Sequence, residues 1–139
     1  MKMGVLISLM FFAVTTRAAT LKVLFQDLRS DQGSIRYILF DGPQGYPEAA
    51  EKGIRQGSLS ARQSQDGLVL TDLASGSYAM TFIHDENDNE KLETNFMGLP
   101  QEGFAFSTNP RIYFGSPSFD RMKFNLKENK TLKIKMKYF

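Results

Sequence analysis

The C-terminal stretch constrains the fold most. Leu132, Ile134, Met136 and Tyr138 alternate without a break with Lys133, Lys135 and Lys137. A period of two is the period of a β-strand, whose successive side chains point to opposite faces. One face of this strand is therefore apolar and the other carries lysine, which is the pattern of a strand half in a core and half in water. The lysines also guard an open edge against pairing with another chain. They argue against a membrane barrel too. Alternating back from Phe139, the lipid-facing positions would be Lys137, Lys135 and Lys133, each costly near the bilayer midplane.

The rest of the chain reads the same way. Thr20 to Leu28 is a strand with Leu21, Val23 and Phe25 on one face. Arg29 to Gly33 is a turn cluster. Ser34 to Asp41 is a second strand, apolar at nearly every position, as a strand buried on both faces would be. The two are expected to form a hairpin. Glu48 to Arg55 allows a short helical turn between Gly and Pro breakers, and Leu59 to Gln63 a weak edge strand. Gly67 to Leu73 is a strand with Leu68, Leu70 and Leu73 inward, followed by a tight turn and the strand Ser77 to His84. Phe119 to Leu126 is expected to be a strand with Met122, Phe124 and Leu126 on one face. About seven strands without a long helix predict an all-β fold, an antiparallel β-sandwich of immunoglobulin-like or prealbumin-like type with one long loop.

At 139 residues the chain is long enough for one domain. Residues 1–18 are expected to stand outside it as a signal peptide. Lys2 gives a positive start, Val5 to Val14 is apolar apart from Ser8, and Thr16-Arg17-Ala18 has small residues where a cleavage site needs them. The apolar run is about half the ~20 residues needed to span a bilayer. Cleavage after Ala18, or after Ala19, leaves a domain of 19–139, exported to the periplasm or secreted, with no membrane insertion. The formal net charge is +2, and the leader holds Lys2 and Arg17 with no acid, so the remainder is neutral. Bulk charge thus gives no support for a nucleic-acid partner. There is no cysteine, so the domain holds together without disulfides.

The segment His84-Asp85-Glu86-Asn87-Asp88-Asn89-Glu90-Lys91-Leu92-Glu93 follows the Ser77 strand and is crowded with oxygen-bearing side chains. Calcium takes six to eight oxygens from carboxylates, amides and backbone carbonyls at alternate loop positions. Asp85, Asn87, Asn89, the carbonyl of Lys91 and Glu93 have that spacing and make a candidate Ca2+ loop at 85–93. The helix–loop–helix calcium pattern is broken, because Glu90 stands where a glycine belongs and Phe96 where a glutamate belongs. The other reading is a polar turn in which Asp and Asn bond their own backbone.

His84 is the sole histidine. Zinc would need several His or Cys partners, and none exist. A hydrolase built on His84 and Asp85 with Ser107 or Ser118 is the alternative in a different class, without a nucleophile motif to support it. From Asn95 to Ser118, repeated Gly and Pro break regular structure, yet Phe96, Met97, Phe104, Phe106, Tyr113 and Phe114 lie among them. Such a loop packs on the body or presents its aromatics. His84, Phe96, Phe104 and Phe106 are the candidate surface for a protein, peptide or glycan partner.

His84-Asp85-Glu86-Asn87, Asn89, Lys91-Leu92, Thr94-Asn95, Gly98, Pro100, Glu102-Gly103, Phe106-Ser107 and Gly115-Ser116-Pro117-Ser118-Phe119 together resemble a bacterial family of exported proteins catalogued as domain of unknown function 2141 (DUF2141). The likeness covers nearly all of the chain after the leader. In that family glycines usually stand where Asp88 and Glu90 stand here. The resemblance implies a small exported β-domain with no assigned activity. More loosely, Leu73-Ala74-Ser75-Gly76-Ser77-Tyr78 resembles the strand entry of carboxypeptidase-regulatory-like and transthyretin-like sandwiches. The expected role is that of a non-catalytic binding or structural module at the cell envelope.

Overall fold

The computed structural model describes residues 17–113 and 115–139. Most of the expected leader, residues 1–16, and Phe114 lie outside them. Among the described residues eight strands form two sheets packed face to face. One sheet has the order β4 (Leu68–Leu73), β1 (Ala19–Gln26), β8 (Lys130–Lys135). The other runs β3 (Arg55–Ser60), β2 (Ser34–Phe40), β5 (Gly76–Asp85), β6 (Gly103–Phe106), with β7 (Phe124–Leu126) pairing the start of β5. The β-sandwich expected from the sequence is the fold. Its pairs are antiparallel except β1 and β8, which run parallel with Val23 opposite Leu132.

The core lies between the sheets. Leu21 and Val23 of β1, Leu68, Leu70 and Leu73 of β4 and Ile134 of β8 meet Ile35 and Leu39 of β2, Tyr78, Met80 and Phe82 of β5, and Phe124 and Leu126 of β7. Each large apolar side chain so buried contributes about 1.5–3 kcal/mol. Leu68 and Leu70 share a parity that Leu73 does not, yet all three point inward. The pairing explains this: Ala19 faces Leu73 and Leu21 faces Leu70, so two residues of β4 stand opposite one of β1. Asp72 at φ 59° makes this β-bulge, and the bulge returns Leu73 to the core.

The hairpin expected between the first two strands does not form. β1 pairs with β4 and β8, and β2 with β3 and β5, so the Arg29–Gly33 segment crosses from one sheet to the other. Both strands are interior to their own sheets and need both edges for other partners. The expected strand from Phe119 is also corrected. Phe119–Met122 forms one helical turn, α1, and only Phe124–Leu126 is a strand. The turn carries Met122 to the far side of β5, where it joins Phe40, Ala79, Phe106 and Phe119 in a second small core, while Phe124 and Leu126 stay in the main one. The weak edge strand begins at Arg55 rather than Leu59 and ends at Ser60. The short helical turn is a 3-10 turn at Ala50–Lys52.

The long loop is not uniformly irregular, because β6 lies within it and pairs with β5, His84 opposite Gly103. After β8 the chain bridges to β6, with the Lys137 N–H donating to the Phe104 carbonyl and the Phe104 N–H to the Lys137 carbonyl, at 2.9 and 3.0 Å. That bridge links the two sheets and delivers Tyr138 to the end of β5.

Candidate functional site

The last two residues of β5 are both buried and face opposite sides of the sheet. His84 is 0% exposed and turns toward the main core; Asp85 is 1% exposed and turns toward the loop that follows. Gly33 makes this end possible. It takes φ +67°, and a Cβ there would lie 2.0 Å from the Asp85 carbonyl oxygen, so only glycine fits.

Both ring nitrogens of His84 are used. Nε2 lies 2.8 Å from the Gln32 carbonyl oxygen and Nδ1 2.7 Å from the Tyr138 hydroxyl. A carbonyl only accepts, so Nε2 carries a proton, and in the neutral imidazole Nδ1 accepts from the Tyr138 hydroxyl. The Arg29 guanidinium lies 4.6 Å over the Tyr138 ring, and Gly103 leaves that ring its space. The arrangement with Ser107 or Ser118 therefore does not form. Ser107 Oγ donates to the Met122 carbonyl at 2.5 Å and accepts from the Met80 N–H, and Ser118 is exposed ahead of α1. His84 is a structural tie between β5, the β1–β2 crossing and the C-terminus.

The loop after Asp85 is built on side-chain caps. Asp85 Oδ1 accepts from the Asn89 N–H (3.2 Å) and Oδ2 from the Glu90 N–H (2.8 Å). Asn87 Oδ1 accepts from the Asn89 N–H, and Asn89 Oδ1 from the Lys91 N–H. Both amide Nδ2 groups donate to Glu93 Oε1, at 3.3 Å from Asn87 and 2.6 Å from Asn89. The residues expected as ligands are thus brought together, but the Asp85, Asn87 and Asn89 oxygens and Glu93 Oε1 are turned to the loop's own backbone or amides, and Lys91 joins through its N–H. The intervening Glu86 and Asp88 are also held. Glu86 accepts from Arg29 and Ser30, and the Arg29 hydrogen bonds hold it below the ordinary carboxylate range. Asp88 accepts from Ser34 Oγ at 2.7 Å. Asp88 and Glu90 stand at φ 53° and 60°, the left-handed region that favours glycine. These are the two positions where the resemblance places glycine.

Beyond Glu93 the chain makes a tight tip. The Gln101 N–H donates to the Glu93 carbonyl, Thr94 and Pro100 pair, and the Asn95 N–H donates to the Leu99 carbonyl. Asn95 Oδ1 takes the N–H groups of Met97 (2.9 Å) and Leu99 (3.0 Å). At the apex Phe96 is 97% exposed and Met97 66%. The candidate partner surface is corrected accordingly. Phe96 is on the surface, Phe104 is half-buried and stacked on Phe139, and His84 and Phe106 are buried in the two cores.

Glu102, which the sequence places in the family-like motif but not among the candidate site residues, belongs to this site. Glu102, just before β6, is 4% exposed, and neither carboxylate oxygen has a hydrogen-bond partner among the described residues. Burial, and next the charge of Asp85, push its pKa up to about 7. The Glu93 backbone amide and the Asp85 carboxylate both act on it while falling short of good hydrogen-bond geometry. Its sequence mark is the Glu102-Gly103 step of the family-like motif, and that gives it no role until β6 is seen to pair with β5.

No match is found among curated proteins or among solved structures. Residues 23–135 match the protein-family model described as an uncharacterized protein conserved in bacteria, DUF2141. That match runs from the middle of β1 to the end of β8 and takes in the 84–102 segment, so the chain belongs to the DUF2141 family.

Proposed function

We propose that this protein is an exported, non-catalytic binding module of the bacterial cell envelope, and that its working end is the 85–102 loop. The observation that carries the reading is the ordered exposure of Phe96 and Met97. Large apolar side chains left in water at a tip locked by four backbone and Asn95 hydrogen bonds are suited to a partner rather than to the domain's own packing. A rigid aromatic anchor loses little conformational entropy on binding, and it fits a protein, peptide or glycan. The leader-like N-terminus supports export, and the occupied ring nitrogens of His84 support a role without His-based hydrolysis.

The test is a photo-crosslinking side chain placed at Phe96 in the native host, with the same group at exposed Val69 on β4 as control. A discrete adduct at 96, absent at 69 and found in the envelope fraction, is the expected result. No adduct at 96, or the same adducts at both positions, overturns the partner surface. Recovery of the uncleaved chain from the cytoplasm overturns export; a mature N-terminus at Ala19 or Thr20 is expected.

A further inference from the structure

Asp85 ends β5 and Glu102 immediately precedes β6; both are almost completely buried, and the charge of Asp85 acts on Glu102. Among the described residues nothing positive is bonded to them. The nearby cation, Arg29, spends its guanidinium on Glu86 and on the Gln101 carbonyl. A buried carboxylate pair without a counter-charge is costly. A carboxylate offers about four lone-pair positions; Asp85 uses two of them on N–H groups, and Glu102 uses none. Glu93, half-buried beside them, is bonded through Oε1 alone.

We propose that Asp85 and Glu102 anchor a site for a divalent cation of the calcium class, completed by neutral oxygens of the 87–93 loop and by water. The chemistry is that of a hard cation, because every available donor is oxygen. Among the described residues no three acidic or imidazole side chains form a ready-made metal shell, so the ion rests on this pair. The acidic loop alone would not carry the site, since the Asp85, Asn87 and Asn89 oxygens are already bonded within it. Glu102 carries it: a buried carboxylate beside Asp85 at the entrance to β6, with no hydrogen-bond partner among the described residues. This site differs from the ligand ring expected from the sequence, in which Glu102 had no part. It also stands independently of any partner at Phe96, because its readout is the domain's own stability.

The experiment compares thermal unfolding of the purified protein in chelator and in millimolar CaCl2, with NaCl of equal ionic strength as control. Calorimetric titration of CaCl2 into the wild type runs beside it. A ligand that binds only the folded state raises its stability, so a rise of about 5 °C or more in Tm is expected, with saturable heats. Glu102→Gln, which keeps the shape and removes the charge, should lose that rise and those heats. No calcium heats in the wild type, a Tm rise matched by NaCl, or an undiminished calcium shift in E102Q each overturns the site. Should E102Q fail to fold, the wild-type titration still decides whether an ion binds. Glu102→Asp then decides the locus: weakened heats support it, and unchanged heats overturn it.

Discussion

His84 and Asp85 are neighbours on one strand, equally buried, and opposite in circumstance. On the His84 face every polar atom has a partner: Gln32 takes the Nε2 proton and Tyr138 supplies one to Nδ1. On the Asp85 face the adjoining carboxylate of Glu102 has none among the described residues. The first arrangement holds the sandwich together. The second leaves a buried carboxylate without a hydrogen-bond partner among the described residues, which costs stability. A buried polar group that is fully satisfied is a sign of architecture, and one left unsatisfied is where a functional explanation is worth seeking.

Substitutions on the two faces should therefore act in opposite directions. The largest effect is expected from His84→Ala, which strands the Gln32 carbonyl and the Tyr138 hydroxyl and opens a cavity; urea denaturation should show a loss of about 3 kcal/mol. A loss below about 1 kcal/mol would remove the contrast, because the face would then not be holding anything.

Glu102→Gln in chelator should do the reverse. The folded-state pKa of Glu102, about 7, lies above the ordinary 4.5, so the folded protein holds this proton more tightly than the unfolded chain. The stabilising effect of that proton is complete below pH 4.5 and is lost as pH rises through 7. Gln cannot ionise, so the variant should exceed wild type by about 2 kcal/mol above neutrality, and the gap should close in acid. A pH-independent difference between the two Tm curves would show that Glu102 does not carry this penalty.

The smallest effect tests the loop backbone. Glu90→Gly relieves a left-handed residue whose side chain is exposed, and should gain about 0.5 kcal/mol after the entropy cost of glycine. Asp88→Gly should not gain, because it also removes the acceptor of Ser34. Equal gains at both positions would mean that the Asp88–Ser34 bond contributes nothing.

Much of this was legible without coordinates. Residues that alternate along a strand, as Leu132 to Tyr138 and Leu21 to Phe25 do, declare their face through a local period of two, and local rules suffice for them. The both-sided apolarity of Ser34 to Asp41 likewise announced a strand covered on two faces, and Phe40 is indeed in the second core while Ile35 and Leu39 are in the first. The acidic loop was visible as a cluster, and the family resemblance marked Asp88 and Glu90 as glycine positions, where the backbone proves left-handed.

What the sequence determined by itself was therefore the class of fold, its strands, and where the chain turns polar, because periodicity, breakers and charge are properties of near neighbours. Tertiary structure alone decided which strands pair, that the first two belong to different sheets, and that a helical turn sends Met122 to the far face. It also decided that Glu102 stands against Asp85 while His84 is sealed by Tyr138. Those contacts join residues far apart in the chain, and they depend on which edges are free once the sheets assemble, a competition that no local pattern records.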